Sequence, residues 1–225
     1  MIFMEKPIRC PSCRNLVPSG YFMCPYCGTD LRLIIRLRMR LRLKMKDIIK
    51  RMRDVVMKPK STMQEIVAVP DYLGPSLITL VLALFLSMRY VIISSSLGLI
   101  IGLYPFLVIL FLNVLIAMSI WFIISAIINW IFRLFGGTQT FDQTAAAIGY
   151  SLVPIVFGVF LGTLTLIGNP MSGGIAIAIL IPFVIWSVIL CSIALYYASN
   201  LPLITCVLAS ILAFLILAFF FFVMS

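Results

Sequence analysis

Residues Gly136 to Pro154 read Gly-Gly-Thr-Gln-Thr-Phe-Asp-Gln-Thr-Ala-Ala-Ala-Ile-Gly-Tyr-Ser-Leu-Val-Pro, the longest polar interruption in an otherwise apolar C-terminal two-thirds. A long hydrophobic segment runs into the paired glycines Gly136 and Gly137. A polar turn follows, and a new apolar run begins with a proline inside it. Glycines accept the backbone angles that end a helix, and Thr140 or Asp142 can cap the next one. The stretch reads as a hinge between two helices, each long and greasy enough to cross a membrane.

The flanking composition supports that reading. The chain is 63% hydrophobic and 11% charged, with a mean hydropathy of +1.20. An ordinary soluble domain is excluded, because it needs far more charge to cover its surface. The charge is also split unevenly. Of the 17 Lys and Arg residues all but Arg89 and Arg133 precede residue 73, and of the 7 Asp and Glu residues all but Asp142 do. A basic head therefore joins an almost uncharged membrane body near residue 72. The positive-inside rule places the head in the cytoplasm.

Spacing of the apolar runs predicts an all-α polytopic membrane protein of about five transmembrane helices, with a small zinc-ribbon domain at the N-terminus. The expected spans cover about 75–93, 106–133, 143–167, 175–198 and 202–223. Leu97 to Phe135 is too long for one straight span. It reads as a short interfacial or re-entrant piece and then a span, with two short spans and six crossings in total as the alternative. Five crossings put Gly136, Gly137 and Asp142 in a cytoplasmic loop and the C-terminus outside.

The head begins with Cys10-Pro-Ser-Cys13, ten residues, and Cys24-Pro-Tyr-Cys27-Gly28. Two cysteine pairs of two-residue spacing suit one tetrahedral ion, since both sulfurs of a knuckle face the same metal. Met1 to Pro7 offers no apolar core of a secretory signal, and reduced cytoplasmic thiols favour metal over disulfide. Structural zinc on Cys10, Cys13, Cys24 and Cys27 is the expectation. Iron in a rubredoxin-like site and a redox dithiol are the alternatives. The stretch resembles the short zinc-ribbon family through Val17-Pro-Ser-Gly20 and Met23-Cys-Pro-Tyr-Cys-Gly-Thr29, with Arg14 standing where that family has glycine.

The domains expected are a ribbon over 1–30, a basic amphipathic linker with an interfacial helix over 31–72, and the membrane domain over 73–225. Within the linker Arg36, Arg38, Arg40, Arg42, Lys44 and Lys46 alternate with apolar residues, the period of a strand with one basic face. That face suits contact with the anionic cytoplasmic leaflet or a protein partner, and a solvated linker is the plainer reading. Nucleic acid is disfavoured, because basic charge with few aromatics is weak evidence for it and the bilayer competes as a polyanion. From Asp47 the pattern turns helical, with Ile48, Ile49, Met52, Val55 and Val56 on one face and Lys50, Arg51, Arg53 and Lys58 on the other. Ser61 and Gln64 form an expected capping box for a short helix from Thr62 to Ala68.

Two segments together carry a resemblance to the Yip-one (Ypt-interacting-protein) family: Lys58-Pro59 with Thr62-Met63 ahead of the first span, and Gly136-Gly137, Phe141, Tyr150-Ser151 and Pro154 around the hinge. It covers residues 58–225, and Met63 departs from the usual phenylalanine. The resemblance implies a five-span bundle with a cytoplasmic N-terminus. Eukaryotic members are linked to Rab-type GTPases and vesicle traffic, but no residue here carries that activity over.

The expected function is that of a non-enzymatic membrane scaffold or adaptor whose zinc-stabilised head recruits a cytoplasmic protein. The chain has no histidine, and Asp142 is the sole carboxylate past residue 72, which leaves acid–base and nucleophilic chemistry little to work with. The alternative is a small transporter or channel for a lipid or neutral solute. It rests on Asn113, Asn129 and the breaks at Pro154, Gly162 and Pro182.

Overall fold

The computed structural model describes residues 8–17, 23–29, 31, 45–96, 98, 102–168 and 173–224. It divides into two units, 1–44 and 45–225. Of the expected strand, Arg36, Arg38, Arg40, Arg42 and Lys44 lie outside the described residues, and Lys46 departs from it, standing in the first turn of a helix that begins at Met45; most of the expected re-entrant piece after Leu97 also lies outside the described residues.

In the smaller unit β1 (Ile8–Arg9) pairs antiparallel with β2 (Leu16–Val17), Ile8 opposite Val17. Among its described residues Cys10, Val17, Cys24 and Leu31 are buried together. Units this short are usually held by a metal or another staple, because a small chain buries too little of its surface to offset the entropy of ordering it.

The larger unit is helical throughout its described elements. Two short helices, α1 (Met45–Met57) and α2 (Pro59–Ala68), precede α3 (Leu73–Ser96), α4 (Leu103–Leu134), α5 (Phe141–Ser151), α6 (Val153–Gly168), α7 (Gly173–Ser199) and α8 (Leu203–Met224). Among the described residues four segments are long and apolar enough to cross a membrane: α3, α4, the Phe141–Ile167 run through α5 and α6, and Gly174–Ser199 within α7. The shorter apolar stretch Leu203–Ala218 in α8 follows them. The protein is a multi-pass membrane protein in contact with the lipid bilayer.

Several details depart from expectation for definable reasons. The second span is one unbroken helix of 32 residues, because Gly102 and Pro105 fall at its start, where a proline costs no hydrogen bond. At 1.5 Å per residue it is about 48 Å long, so it tilts or extends past a hydrocarbon layer of about 30 Å. The third span is divided at Leu152, two residues before Pro154, whose ring lacks the N–H that would continue the ladder. Helix α2 starts at Pro59, with Lys58 as its N-cap. Ser61 lies within the first turn and donates its hydroxyl to the Lys58 carbonyl at 3.3 Å, so it forms no capping box.

The core of the larger unit lies where α3, α4, α5 and α7 meet. Trp121, Tyr150 and Phe132 are its largest fully buried side chains. The run Ala145-Ala146-Ala147 is wholly buried, and small residues of this kind let helix backbones approach. Trp121 Nε1 uses that closeness to donate to the Ala145 carbonyl at 3.0 Å.

Candidate functional site

The four cysteines converge. Their sulfurs all lie within 4.8 Å of one another, with Cys10 to Cys27 at 3.5 Å and Cys13 to Cys24 at 3.6 Å. A tetrahedron of sulfurs about 2.3 Å from a central zinc has edges of roughly 3.8 Å, so the cluster can hold a metal ion. The two knuckles repeat one backbone pattern. Arg14 N donates to the Cys10 carbonyl and Gly28 N to the Cys24 carbonyl, both at 2.9 Å; Cys10 N reaches the Asn15 carbonyl and Cys24 N the Thr29 carbonyl.

The pattern requires a left-handed residue after each second cysteine. Gly28 supplies it at φ 71°, and Arg14 is forced into it at φ 59°, a conformation disfavoured for side chains with a Cβ. The position where Arg14 departs from the ribbon pattern is therefore the one where glycine is sterically preferred.

The thiols are unequal. The Thr29 hydroxyl, 3.1 Å from Cys27 Sγ, and the Thr29 backbone lower Cys27 to about 6. A backbone hydrogen bond from Cys13 lowers Cys10. At Cys13 the Asn15 backbone works downward, but desolvation and the neighbouring sulfurs outweigh it and push the thiol up to about 12. Cys27 thus favours the thiolate, whereas Cys13 resists ionisation among its neighbouring sulfurs. A divalent ion at the centre removes that conflict.

At one end of the bundle a second constellation forms, which the sequence reading missed. Arg51, assigned above to the outward face of its helix, is 5% exposed. Its guanidinium donates from Nη1 to Asp71 Oδ1 at 2.9 Å and to the Val69 carbonyl at 3.2 Å, and from Nη2 to Glu65 Oε1 at 3.2 Å. Asp71 is equally enclosed. Its carboxylate also accepts from the Tyr150 hydroxyl at 3.1 Å and, through Oδ2, from Gly74 N at 2.9 Å, capping the first span. Gly74 permits this approach, since a Cβ there would sit 2.0 Å from the Tyr150 hydroxyl oxygen. One arginine thus ties α1 and α2 to the entry of the first span and, through Asp71, to the third.

The hinge stretch packs on the same end. Gly136 takes φ 79° and ends α4. Thr140 and Gln143 make the full reciprocal capping box at the start of α5. Gln143 Nε2 also donates to the Val67 carbonyl at 3.1 Å, and Asp142 accepts from the Tyr72 hydroxyl. Thr138 N donates to the Ser199 carbonyl at 3.3 Å, bringing in the α7–α8 turn. Gly137 has no room for a side chain: a Cβ would sit 2.9 Å from the Phe132 backbone carbonyl oxygen, which cannot swing away. Lys46 is exposed on α1. Asn113 donates to Ser87 at 2.8 Å across two helices.

A family model described as the Yip1 domain matches residues 53–225. No curated protein and no solved structure matches the chain.

Proposed function

Because the chain belongs to the Yip1 domain family, we propose that it is a membrane scaffold whose cysteine head, loaded with zinc, recruits a cytoplasmic protein to the bilayer. The observation that carries this reading is the closed set of four sulfurs. Four protein ligands around zinc leave no position for water or substrate, so the metal shapes a surface and does not catalyse. Cys10, Cys13, Cys24 and Cys27 are the ligands. Met23, Tyr26 and Leu16 stand exposed on the head, at 56%, 63% and 54%, and offer apolar side chains for contact with a partner.

The membrane body acts as the anchor. Orientation follows the charge: the head and the loop at Gly136, Gly137 and Asp142 face the cytoplasm, and the C-terminus lies outside. The alternating segment Arg36 to Lys46 lies against the anionic leaflet or the partner. Asp142 and Gln143 support the anchor by joining the loop to the Val67–Tyr72 segment.

The test is affinity capture of the full chain from its native membrane in mild detergent, alongside reconstitution into liposomes. A scaffold yields a reproducible stoichiometric protein partner and no solute or lipid flux. Flux abolished by Asn113→Leu, with no partner, would install the transporter reading instead.

A further inference from the structure

Helix α1 buries only one of its faces. At 3.6 residues per turn its side chains sort into adjacent arcs, each about 60° wide. Ile48, Arg51 and Val55 fill the first arc and are buried against the bundle. Met45, Ile49, Met52 and Val56 fill the next. Three of these stand open, Met45 at 54%, Ile49 at 59% and Val56 at 39%. Lys46, Lys50 and Arg53 share the third arc with Met57, all exposed, with Arg53 also paired to Asp54 at 3.0 Å. Among the described residues the helix thus carries an exposed apolar stripe with three cations along its outer border.

We propose that this outer face of α1 lies in the headgroup layer of an anionic membrane, with Met45, Ile49 and Val56 at the acyl boundary and Lys46, Lys50 and Arg53 on lipid phosphates. The salt bridge from Arg51 to Asp71, 2.9 Å long, holds α1 one side-chain length from the carboxylate that caps the first span at Gly74. The middle of the helix is therefore held at the entry of the first span, and on this proposal its stripe lies where the hydrocarbon begins. At that depth an apolar ridge flanked by basic groups matches the layering of acyl chains below phosphates. A protein partner would find the stripe at lipid level. Partner recruitment by the head is a separate matter and is not assumed; the inference rests only on the membrane-spanning reading of the bundle.

The experiment places a photoreactive amino acid at position 49 of the full chain, reconstituted in vesicles of phosphatidylcholine alone or with one-quarter phosphatidylglycerol. The expected product is a phospholipid adduct, enriched at least about threefold in the anionic vesicles, as each basic group near such a surface favours it severalfold. Lys46→Gln with Lys50→Gln should remove the enrichment and leave the zinc content unchanged. Adducts to a second copy of the chain, no adduct, or equal lipid adducts in both vesicles would overturn the proposal.

Discussion

Replacing Asp71 with Ala tests the buried lock most severely. The substitution leaves Arg51, whose side chain is 6% exposed, with Glu65 and the Val69 carbonyl as acceptors. It also removes the cap on Gly74 and the acceptor of the Tyr150 hydroxyl. Removing one partner of a buried ion pair costs about 3–5 kcal/mol, since the other charge stays desolvated with an incomplete set of partners; here Arg51 keeps only the half-exposed Glu65 as counter-charge. For a chain of this size that corresponds to a fall in melting temperature of roughly 6–20 °C. Arg51→Met should cost about 3 kcal/mol by the same reasoning, because Asp71 keeps two donors.

The two changes combined should cost less than their sum by about 2 kcal/mol, because the double variant buries neither charge. Melting of the chain in nanodiscs, followed by tryptophan fluorescence, gives the stability. Hydrogen exchange of residues 45–68 shows whether α1 and α2 release. Additive losses, or an Asp71→Ala penalty below about 0.5 kcal/mol, would refute the lock. Arg51→Lys should rescue little, because a single ammonium cannot reach three acceptors placed for a planar fork.

Other positions give independent tests. Gly74→Ala should destabilise the bundle by about 1–3 kcal/mol in the same melting assay, since its Cβ would displace the Tyr150 ring. Arg14→Gly should stabilise the metal-loaded head by about 0.5–1 kcal/mol, because glycine relieves the left-handed backbone at φ 59°; chelator titration of the head's circular dichroism measures it. Gly136→Ala should cost about 1 kcal/mol through backbone strain alone, for the space around it is open. Metal analysis of the purified chain should find one zinc per molecule, and Cys24→Ser should abolish it while leaving the melting of the bundle unchanged.

The membrane fold was legible because hydropathy acts over whole segments. Runs of about twenty apolar residues, and the glycine pair with its Thr140 cap, mark span and hinge without any tertiary knowledge. The cysteine cluster was legible for the opposite reason, as two knuckles of fixed spacing define it locally. Arg51 escaped because a period of 3.6 residues was applied to too broad a face. Ile48, Arg51 and Val55 share a narrow arc, and the charge in it is tolerable only because Asp71 arrives from twenty residues away. A lone carboxylate beside Pro70, immediately before an uncharged body, was the available sign that a buried cation existed. Ile49 and Val56 match Ile48 and Val55 in hydrophobicity, yet the bundle covers only the latter pair. Sequence periodicity identifies apolar faces but not what covers them. The Leu152 break depended on where Pro154 sits in the register of the third span, and a proline there is compatible with either a kink or a helix start.

Whether metal shapes the head into a recruiting surface is read by photo-crosslinking from position 26 of the full chain in native membranes. The zinc-loaded chain should give one discrete protein adduct that disappears in the Cys24→Ser variant, with membrane insertion unchanged. A protein adduct that persists without zinc, or lipid as the sole product from position 26, would contradict it.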